Sequence, residues 1–505
     1  MSFSRLKCVG LACVVLLASL STHATQPSIA DAAEKKDWNG VLAQIKAKAD
    51  VNAPQVDGTT ALHWSVHHDD LATTKALLAA GANASATNNY GVPPLSLACV
   101  NGNEGIVRAL LDAGADANTT LRGGETVLMS AGRTGRVGPV AALLERGAKV
   151  DGEDRKGQTA LMWAAADGQA EVVALIIKSG ADIHHRLKSG YTPLLFAARE
   201  GRIEVVRTLL KAGANANETI EAEKSGKRAP LEGTSAITLA VENGHFELAM
   251  ELVNAGADPN DQRSGYTALH VVTWVRKPNR GDDEAGQPPP EGSGKLTSLE
   301  FVRQIVAKGA DVNMRLKKGE GGRGKLSLKL ATPFLMASKT ADLPLMKLLV
   351  ELHADPAIPN ADGATPLMAA AGLGCLAPDE EAGTEEECLE AVKYLLTLGA
   401  NINVVDRNGE TAMHGAAYKS LPKVVHFLAE HGAKIETWNT TNRWGWTPLR
   451  IAEGYRPGNF KPSFETIAAL KEVMAASGVS VSASASSGVT TSESYAPEGN
   501  KKPAQ

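Results

Sequence analysis

Residues 157–184 read GQTALMWAAADGQAEVVALIIKSGADIH, a pattern typical of two short helices joined by a tight turn. Thr159 is suited to cap the first helix, whose apolar run covers residues 161–165. Gly168 fits the position just beyond a helix end, and a second apolar helix is predicted over residues 171–178. Such a pair exposes one apolar face. It therefore needs similar pairs stacked on both sides.

The chain contains such copies at a constant spacing. The glycine that opens each copy recurs every 33 residues, at Gly58, Gly91, Gly124, Gly157 and Gly190. Each copy closes on a Gly-Ala pair, beginning at Gly81, Gly114, Gly147, Gly180 and Gly213. A fixed period of this length predicts a repeat architecture in which each unit packs on its neighbours.

The residues after each opening glycine carry a family resemblance. Thr-Pro-Leu occurs at residues 192–194, 365–367 and 447–449, and Ala-Leu-His occurs at 61–63 and 268–270. Period and motif together resemble the ankyrin repeat. The resemblance covers most of residues 30–476. It implies an all-α solenoid of about eleven to twelve helix-turn-helix repeats with short hairpin turns.

Composition agrees with thin, closely packed helices. The chain has 505 residues, of which only 4% are aromatic, and its formal net charge is −4. A length of 505 residues would ordinarily suggest several domains, but a solenoid grows by adding neighbours. The overall charge gives no basic field suited to nucleic acid, so we expect no nucleic-acid partner.

The first residues differ from the rest. Arg5 and Lys7 precede an apolar run over residues 8–20 and a small-residue exit at Ala24, a pattern typical of a secretory signal peptide. We predict a signal peptide over residues 1–24, an exported (periplasmic or secreted) chain and no stable membrane insertion after cleavage. The alternative is an uncleaved membrane anchor, for which the run is short.

Departures from the 33-residue period divide the rest of the chain into segments. Residues 27–53 are predicted to form a degenerate capping repeat, and 54–476 the repeat array. Four insertions interrupt the array, at 218–232, 277–298, 314–330 and 376–388. Residues 477–505 lack periodic apolar positions, which predicts a disordered tail.

The insertions carry opposite charges. By resemblance to the family, insertions between repeats extend the concave, partner-facing side, and insertions between paired helices lie at the opposite edge. Segment 314–330 carries six basic residues and one acid, whereas 377–387 carries six acids. Our hypothesis is that the basic segment contacts an acidic partner surface. The alternative is a solvated glycine-rich loop.

Partners of the family bind near the opening glycine and at the end of the inner helix. Aromatic and basic residues at those positions are typical of interface hot spots. Together with the basic segment, the candidates are His67, His68, Tyr90, Arg133, Tyr191, Arg199, Tyr266, Trp274, Lys317, Lys318, Arg323, Tyr418, Trp444 and Trp446. An alternative for individual residues, Trp274 above all, is packing beneath an insertion.

Cysteine and histidine positions bear on covalent and metal chemistry. Cys375 and Cys388 flank the acidic insertion at antiparallel helix ends, so a disulfide is plausible in an oxidising compartment; the alternative is two free thiols. His63 and His67 have a zinc-compatible spacing but no third ligand, so we predict no metal site. No motif indicates a catalytic nucleophile or a cofactor site.

Two classes of function follow. The organised sequence builds an extended surface, which favours a non-enzymatic, monomeric scaffold or regulator that binds a protein partner on its concave surface. The alternative is an enzyme or small-molecule binder whose pocket is built by insertions 277–298 and 314–330.

Overall fold

The computed structural model describes residues 27–223, 232–279, 288–319, 321–458 and 461–479. These ranges are helical, with isolated β-bridges and no β-strand among them. The predicted signal peptide lies outside the described residues, as does the predicted tail from residue 480 onwards. Within the described ranges, no helix is both long and apolar enough to cross a membrane.

The chain divides into two compact units, residues 1–155 and 156–505. In the first unit, the described helices pair in chain order as repeats one to four. They are α1 (Ile29–Glu34), α2 (Trp38–Lys46), α3 (Ala61–His67), α4 (Leu71–Ala79), α5 (Pro94–Asn101), α6 (Glu104–Asp112), α7 (Val127–Arg133) and α8 (Val137–Glu145).

The second unit continues the pairing as repeats five to twelve, with the short α23 preceding the last pair. Its described helices are α9 (Ala160–Asp167), α10 (Ala170–Lys178), α11 (Pro193–Arg199), α12 (Ile203–Lys211), α13 (Ala236–Glu242), α14 (Phe246–Asn254), α15 (Ala268–Arg276), α16 (Ser298–Ala307), α17 (Pro333–Lys339), α18 (Leu343–Glu351), α19 (Pro366–Ala370), α20 (Glu385–Thr397), α21 (Ala412–Lys419), α22 (Pro422–Glu430), α23 (Ile435–Trp438), α24 (Pro448–Ala452) and α25 (Phe464–Ala476). The predicted count of repeats is confirmed.

Stacking follows from the small size of the core residues. In each unit, the first helix of every pair packs on the first helix of the next pair, and the second helices pack likewise. Ala164, Ala165, Ala197 and Ala198 are fully buried between inner helices. Because alanine adds little thickness, neighbouring backbones approach closely and interior packing stays dense.

Residues 157–184 fold as predicted. Thr159 accepts a hydrogen bond from the backbone N–H of Met162 at the start of α9. Gly168 ends α9 with a φ of +84°, a left-handed conformation that favours glycine.

Histidines close the starts of three inner helices. In the eighth repeat, Nδ1 of His270 accepts from the backbone N–H of Thr267 at 3.3 Å, and Nε2 lies 3.3 Å from the carbonyl of Ala331. Burial lowers the pKa of His270 to about 4, so the ring is neutral near pH 7. His63 and His414 cap their helices in the same way. Each of these histidines therefore holds the start of its own helix through hydrogen bonds.

Candidate partner-binding surface

Turn residues and inner-helix ends of the same repeat contact each other. In the sixth repeat, the guanidinium carbon of Arg199 lies 5.2 Å from the ring centre of Tyr191. In the eighth repeat, the rings of Tyr266 and Trp274 meet edge to face at 5.2 Å. Tyr266 and Trp274 are both half-buried, so each keeps part of its ring open to solvent. At Tyr266 and Trp274, a turn residue and an inner-helix end therefore form one shared surface patch.

Ring contacts also occur in the first unit. His68 stacks on Trp64 with ring centres 5.7 Å apart, and His67 meets the same indole edge to face at 5.6 Å. His67 is exposed and His68 half-buried. Tyr90 is 65% exposed at its turn, and Arg133 is exposed at the end of α7.

Three predicted contact residues are buried instead. Tyr191 is covered by Phe196 and Arg199. Tyr418 is fully buried, and its hydroxyl donates to Oε1 of Glu410 at 2.9 Å. Trp446 is buried because Arg323 lies over its ring, 4.9 Å from the centre. Their prediction as exposed contacts is wrong, since neighbouring side chains and the 314–330 insertion cover them.

The 314–330 insertion folds back over the last repeats. Gly324 lies against the ring of Pro457, and Leu326 is buried against Gly374. Lys317, Lys318 and Arg323 are exposed on this segment. The basic segment is therefore a folded part of the second unit and presents its charges from a fixed position.

The 314–330 insertion also forms one wall of a cavity. This cavity has a volume of about 810 Å³, and its other walls come from the turns before the tenth, eleventh and twelfth repeats. We call it the arginine cavity, after the arginines that line it: Arg315, Arg323, Arg407 and Arg443. Trp444, half-buried, lies at its edge with Arg443 5.6 Å from its ring centre.

Two arginines of this cavity mark a position that the sequence-based candidates did not include. They stand two residues before an opening glycine, Arg407 before Gly409 and Arg443 before Gly445. The same position is basic in other repeats, at Arg122, Arg155, Lys188 and Arg263. This recurrence was visible in the sequence and could have identified them.

The described residues of the 277–298 insertion lie away from the arginine cavity. Ser293 donates its backbone N–H to Nδ1 of His245 at 2.8 Å and its hydroxyl to the carbonyl of Gly201 at 3.1 Å. Its described residues do not line the arginine cavity, so the predicted pocket shared by the two insertions is not formed there. At its start, Lys277 pairs with Glu387, which joins the eighth repeat to the tenth.

The acidic insertion is neutralised by neighbouring lysines. Glu385, Glu386 and Glu387 form the first turn of α20, which Thr384 caps, so the helix begins inside the predicted insertion. Lys423 pairs with Glu386. Burial raises the pKa of Glu381, but Lys339, 3.1 Å away, together with the backbone N–H of Leu376 and the charge of Lys419, holds that pKa below its usual value. This segment is therefore not a free acidic edge.

The predicted disulfide is absent from the structure. Cys375 and Cys388 are free, buried thiols. Burial raises the pKa of Cys375 to about 12 and also raises that of Cys388. Lys419 contacts the Cys388 thiol and donates to the carbonyl of Ala382, so local hydrogen bonds close this loop. Among the described residues, no group of three or more His, Cys, Asp or Glu side chains could hold a metal ion.

Comparison with known families agrees with this architecture. A model of three successive ankyrin repeats matches residues 29–120, 113–186, 128–220 and 382–461, and a single-repeat model matches 232–263. The chain belongs to the ankyrin-repeat family. Its repeats therefore provide a scaffold of the kind that supports protein–protein interaction.

Curated relatives match only in part. The chain is 29% identical over 235 residues to a Danio rerio protein provisionally named palmitoyltransferase ZDHHC13, covering 43% of this chain and 32% of that protein. It is 27% identical over 186 residues to the phosphocholine transferase AnkX of Legionella pneumophila, covering 37% and 14%. The crystal structure of the human ASB11 ankyrin repeat domain matches 46% of this chain and 99% of that domain, with 25% identity and a TM-score of 0.39. The match thus spans a third or less of the two curated relatives.

Proposed function

We propose that this ankyrin-repeat protein is a non-enzymatic scaffold or regulator that binds a protein partner across its turns and inner-helix ends. The observation that carries the proposal is the pairing of turn and helix-end side chains, as in Tyr266 with Trp274. Such partly exposed aromatic and arginine patches are typical of residues that dominate interface energies. Their place at the turns favours the concave surface that partners of the family use.

Its two enzyme-named relatives do not alter this proposal. The matched regions span 32% of the palmitoyltransferase and 14% of the phosphocholine transferase. Activities that depend on the rest of those proteins have no assigned counterpart here. We therefore favour a binding role for the repeats over catalysis.

A second function is favoured by one observation. The arginine cavity, at about 810 Å³, falls within the range of small-molecule sites. A small anionic ligand is thus the alternative occupant of the cavity. Competition between sodium triphosphate and an acidic peptide distinguishes this ligand from a protein partner.

The first prediction concerns Trp274. Trp274→Ala is expected to weaken capture of the natural partner by about tenfold or more, because truncating an interface aromatic removes a large contact area. The measurement is capture from the source organism's extract on the immobilised chain, with identification and titration of the bound protein. Phe464→Ala is the matched control, since Phe464 is 80% exposed in the same unit and outside the candidate surface. Equal binding by native chain and Trp274→Ala would contradict the proposal.

We also propose export. The support is the charged start, the apolar run over residues 8–20 and the small-residue exit at Ala24. When the full chain is expressed in a bacterium, the periplasmic fraction is expected to contain a protein lacking about the first 24 residues. Mass measurement of that fraction is the test. Recovery of the intact chain from the cytoplasm alone would refute export.

A further inference from the structure

The arginine cavity brings four guanidinium groups together. Arg315, Arg323, Arg407 and Arg443 line it together with Lys329, whereas Asp362 is the acid of its lining. Within the described part of the chain, none of these four guanidinium groups forms an ion pair with a carboxylate. Elsewhere, arginines such as Arg207 and Arg303 pair with glutamates at their own surfaces. These four guanidinium groups therefore carry positive charge that no carboxylate among the described residues pairs with.

Backbone hydrogen bonds hold these guanidinium groups in place. Arg407 donates from Nη1 to the carbonyl of Ala361 at 2.7 Å. Arg315 donates from Nε to Leu330 at 3.0 Å and from Nη2 to Pro359 at 2.6 Å. Each guanidinium has five N–H donors, so these bonds leave others for a ligand. Side chains fixed in advance lose less conformational entropy when they bind.

Aromatic rings fix the remaining two arginines. Arg443 donates from Nη1 to Oδ1 of Asn408 at 3.0 Å and lies against Trp444, while Arg323 lies over Trp446. The two indole rings are 5.9 Å apart, so both arginines rest on one aromatic platform. The cavity thus presents fixed charges beside an apolar surface.

We propose that the arginine cavity binds a partner segment that carries two or more adjacent carboxylate side chains. The inference rests on the proposed protein-binding function and names the chemistry of the partner. Arginine pairs with carboxylates through two parallel hydrogen bonds, which suits several guanidinium groups around one cavity. A peptide also offers backbone N–H donors to Asp362, whereas a polyphosphate offers only acceptors. Asp362 therefore favours the peptide.

The test uses the full chain and a fluorescein-labelled hexaglutamate peptide, with hexaglutamine as the neutral control. We expect hexaglutamate to bind with an affinity that falls as sodium chloride is raised. Arg407→Glu with Arg443→Glu is expected to weaken binding by about tenfold or more. Lys178→Glu with Lys211→Glu makes the same change of charge on exposed ends of outer helices and is expected to leave binding within about twofold.

Two other variants distinguish a loss of peptide binding from a loss of folding. Arg323→Glu removes a cation whose described contact is the Trp446 ring, so it leaves the inter-turn hydrogen bonds intact. Arg407→Lys with Arg443→Lys keeps both charges but loses the paired guanidinium donors, so it should bind more weakly than the native chain and more tightly than the paired Arg→Glu variant. Circular dichroism spectra identical to those of the native chain are required of each variant.

Three outcomes overturn the proposal. In the first, hexaglutamate binds no more tightly than hexaglutamine. In the second, the paired Arg→Glu variant binds as well as the Lys→Glu control. In the third, sodium triphosphate displaces the peptide and binds more tightly, which would assign a small polyanion to the cavity. The peptide titration contains no natural partner, so a negative result in it does not bear on the capture experiment with Trp274→Ala. Likewise, a negative result in the capture experiment does not bear on the peptide titration.

Discussion

Asp342→Asn is expected to lower the free energy of unfolding of the second unit by about 3 kcal/mol. Asp342 is fully buried and accepts from Nε of Arg276 at 2.7 Å and from Nη2 at 3.1 Å. It also accepts from the backbone N–H of Leu345, capping α18. Asparagine can still accept the capping hydrogen bond from Leu345. The loss of stability therefore comes from the mostly buried guanidinium of Arg276, which is left without its anion. Urea unfolding monitored by circular dichroism measures the change.

An exposed ion pair supplies the control for Asp342. Arg303 and Glu351 also form two close contacts, but both side chains are more than half exposed. Glu351→Gln should therefore leave the unfolding curve unchanged, because exposed pairs contribute little. The double variant Arg276→Met with Asp342→Asn should recover most of the lost stability by removing the unpaired charge. Equal destabilisation by Asp342→Asn and Glu351→Gln would contradict the explanation.

Glu410→Gln is expected to change how stability depends on pH. Burial raises the pKa of Glu410 from 4.5 to about 7, although Tyr418 and Asn442 donate hydrogen bonds to it. Between these values the folded chain holds a proton that the unfolded chain releases, so stability falls as pH rises from about 4.5 to 7. Glutamine resembles the protonated carboxyl at every pH. Relative to the native chain, the variant should therefore gain roughly 3 kcal/mol across this range.

The measurement compares unfolding of both proteins at about pH 5 and about pH 8, on either side of the raised pKa. The indole rings of Trp438 and Trp446 lie in the last repeats and provide a fluorescence signal for this region. Glu430→Gln is the control, because Glu430 is exposed at the end of α22. A difference between Glu410→Gln and the native chain that is the same at both pH values would refute the assignment.

The repeat pattern was predictable because its cause is local. The opening glycines, the capping threonines and the small apolar residues recur with the stacking interface, so their spacing alone predicts the helix pairs. Gly168 is an example, since both its position and its left-handed backbone follow from the end of α9. This part of the fold needs no information from distant residues.

The insertions were less predictable because their paths depend on distant contacts. Local charge could not reveal that Arg323 lies over Trp446 or that Leu326 packs against Gly374. For the same reason, the burial of Trp446 and the closure of the cysteine-flanked loop by Lys419 were missed. The arginine position differs from these, because a basic residue two positions before the opening glycine recurs in the sequence itself.

The Lys277–Glu387 pair has a consequence for folding. A solenoid with contacts only between neighbours can lose its terminal repeats one at a time. This bond joins residues 110 positions apart and bypasses the ninth repeat. Closing so long a loop carries an entropic cost, and contacts of large sequence separation slow folding. We therefore expect unfolding of the eighth and tenth repeats to be more closely coupled than that of repeats which contact only their neighbours.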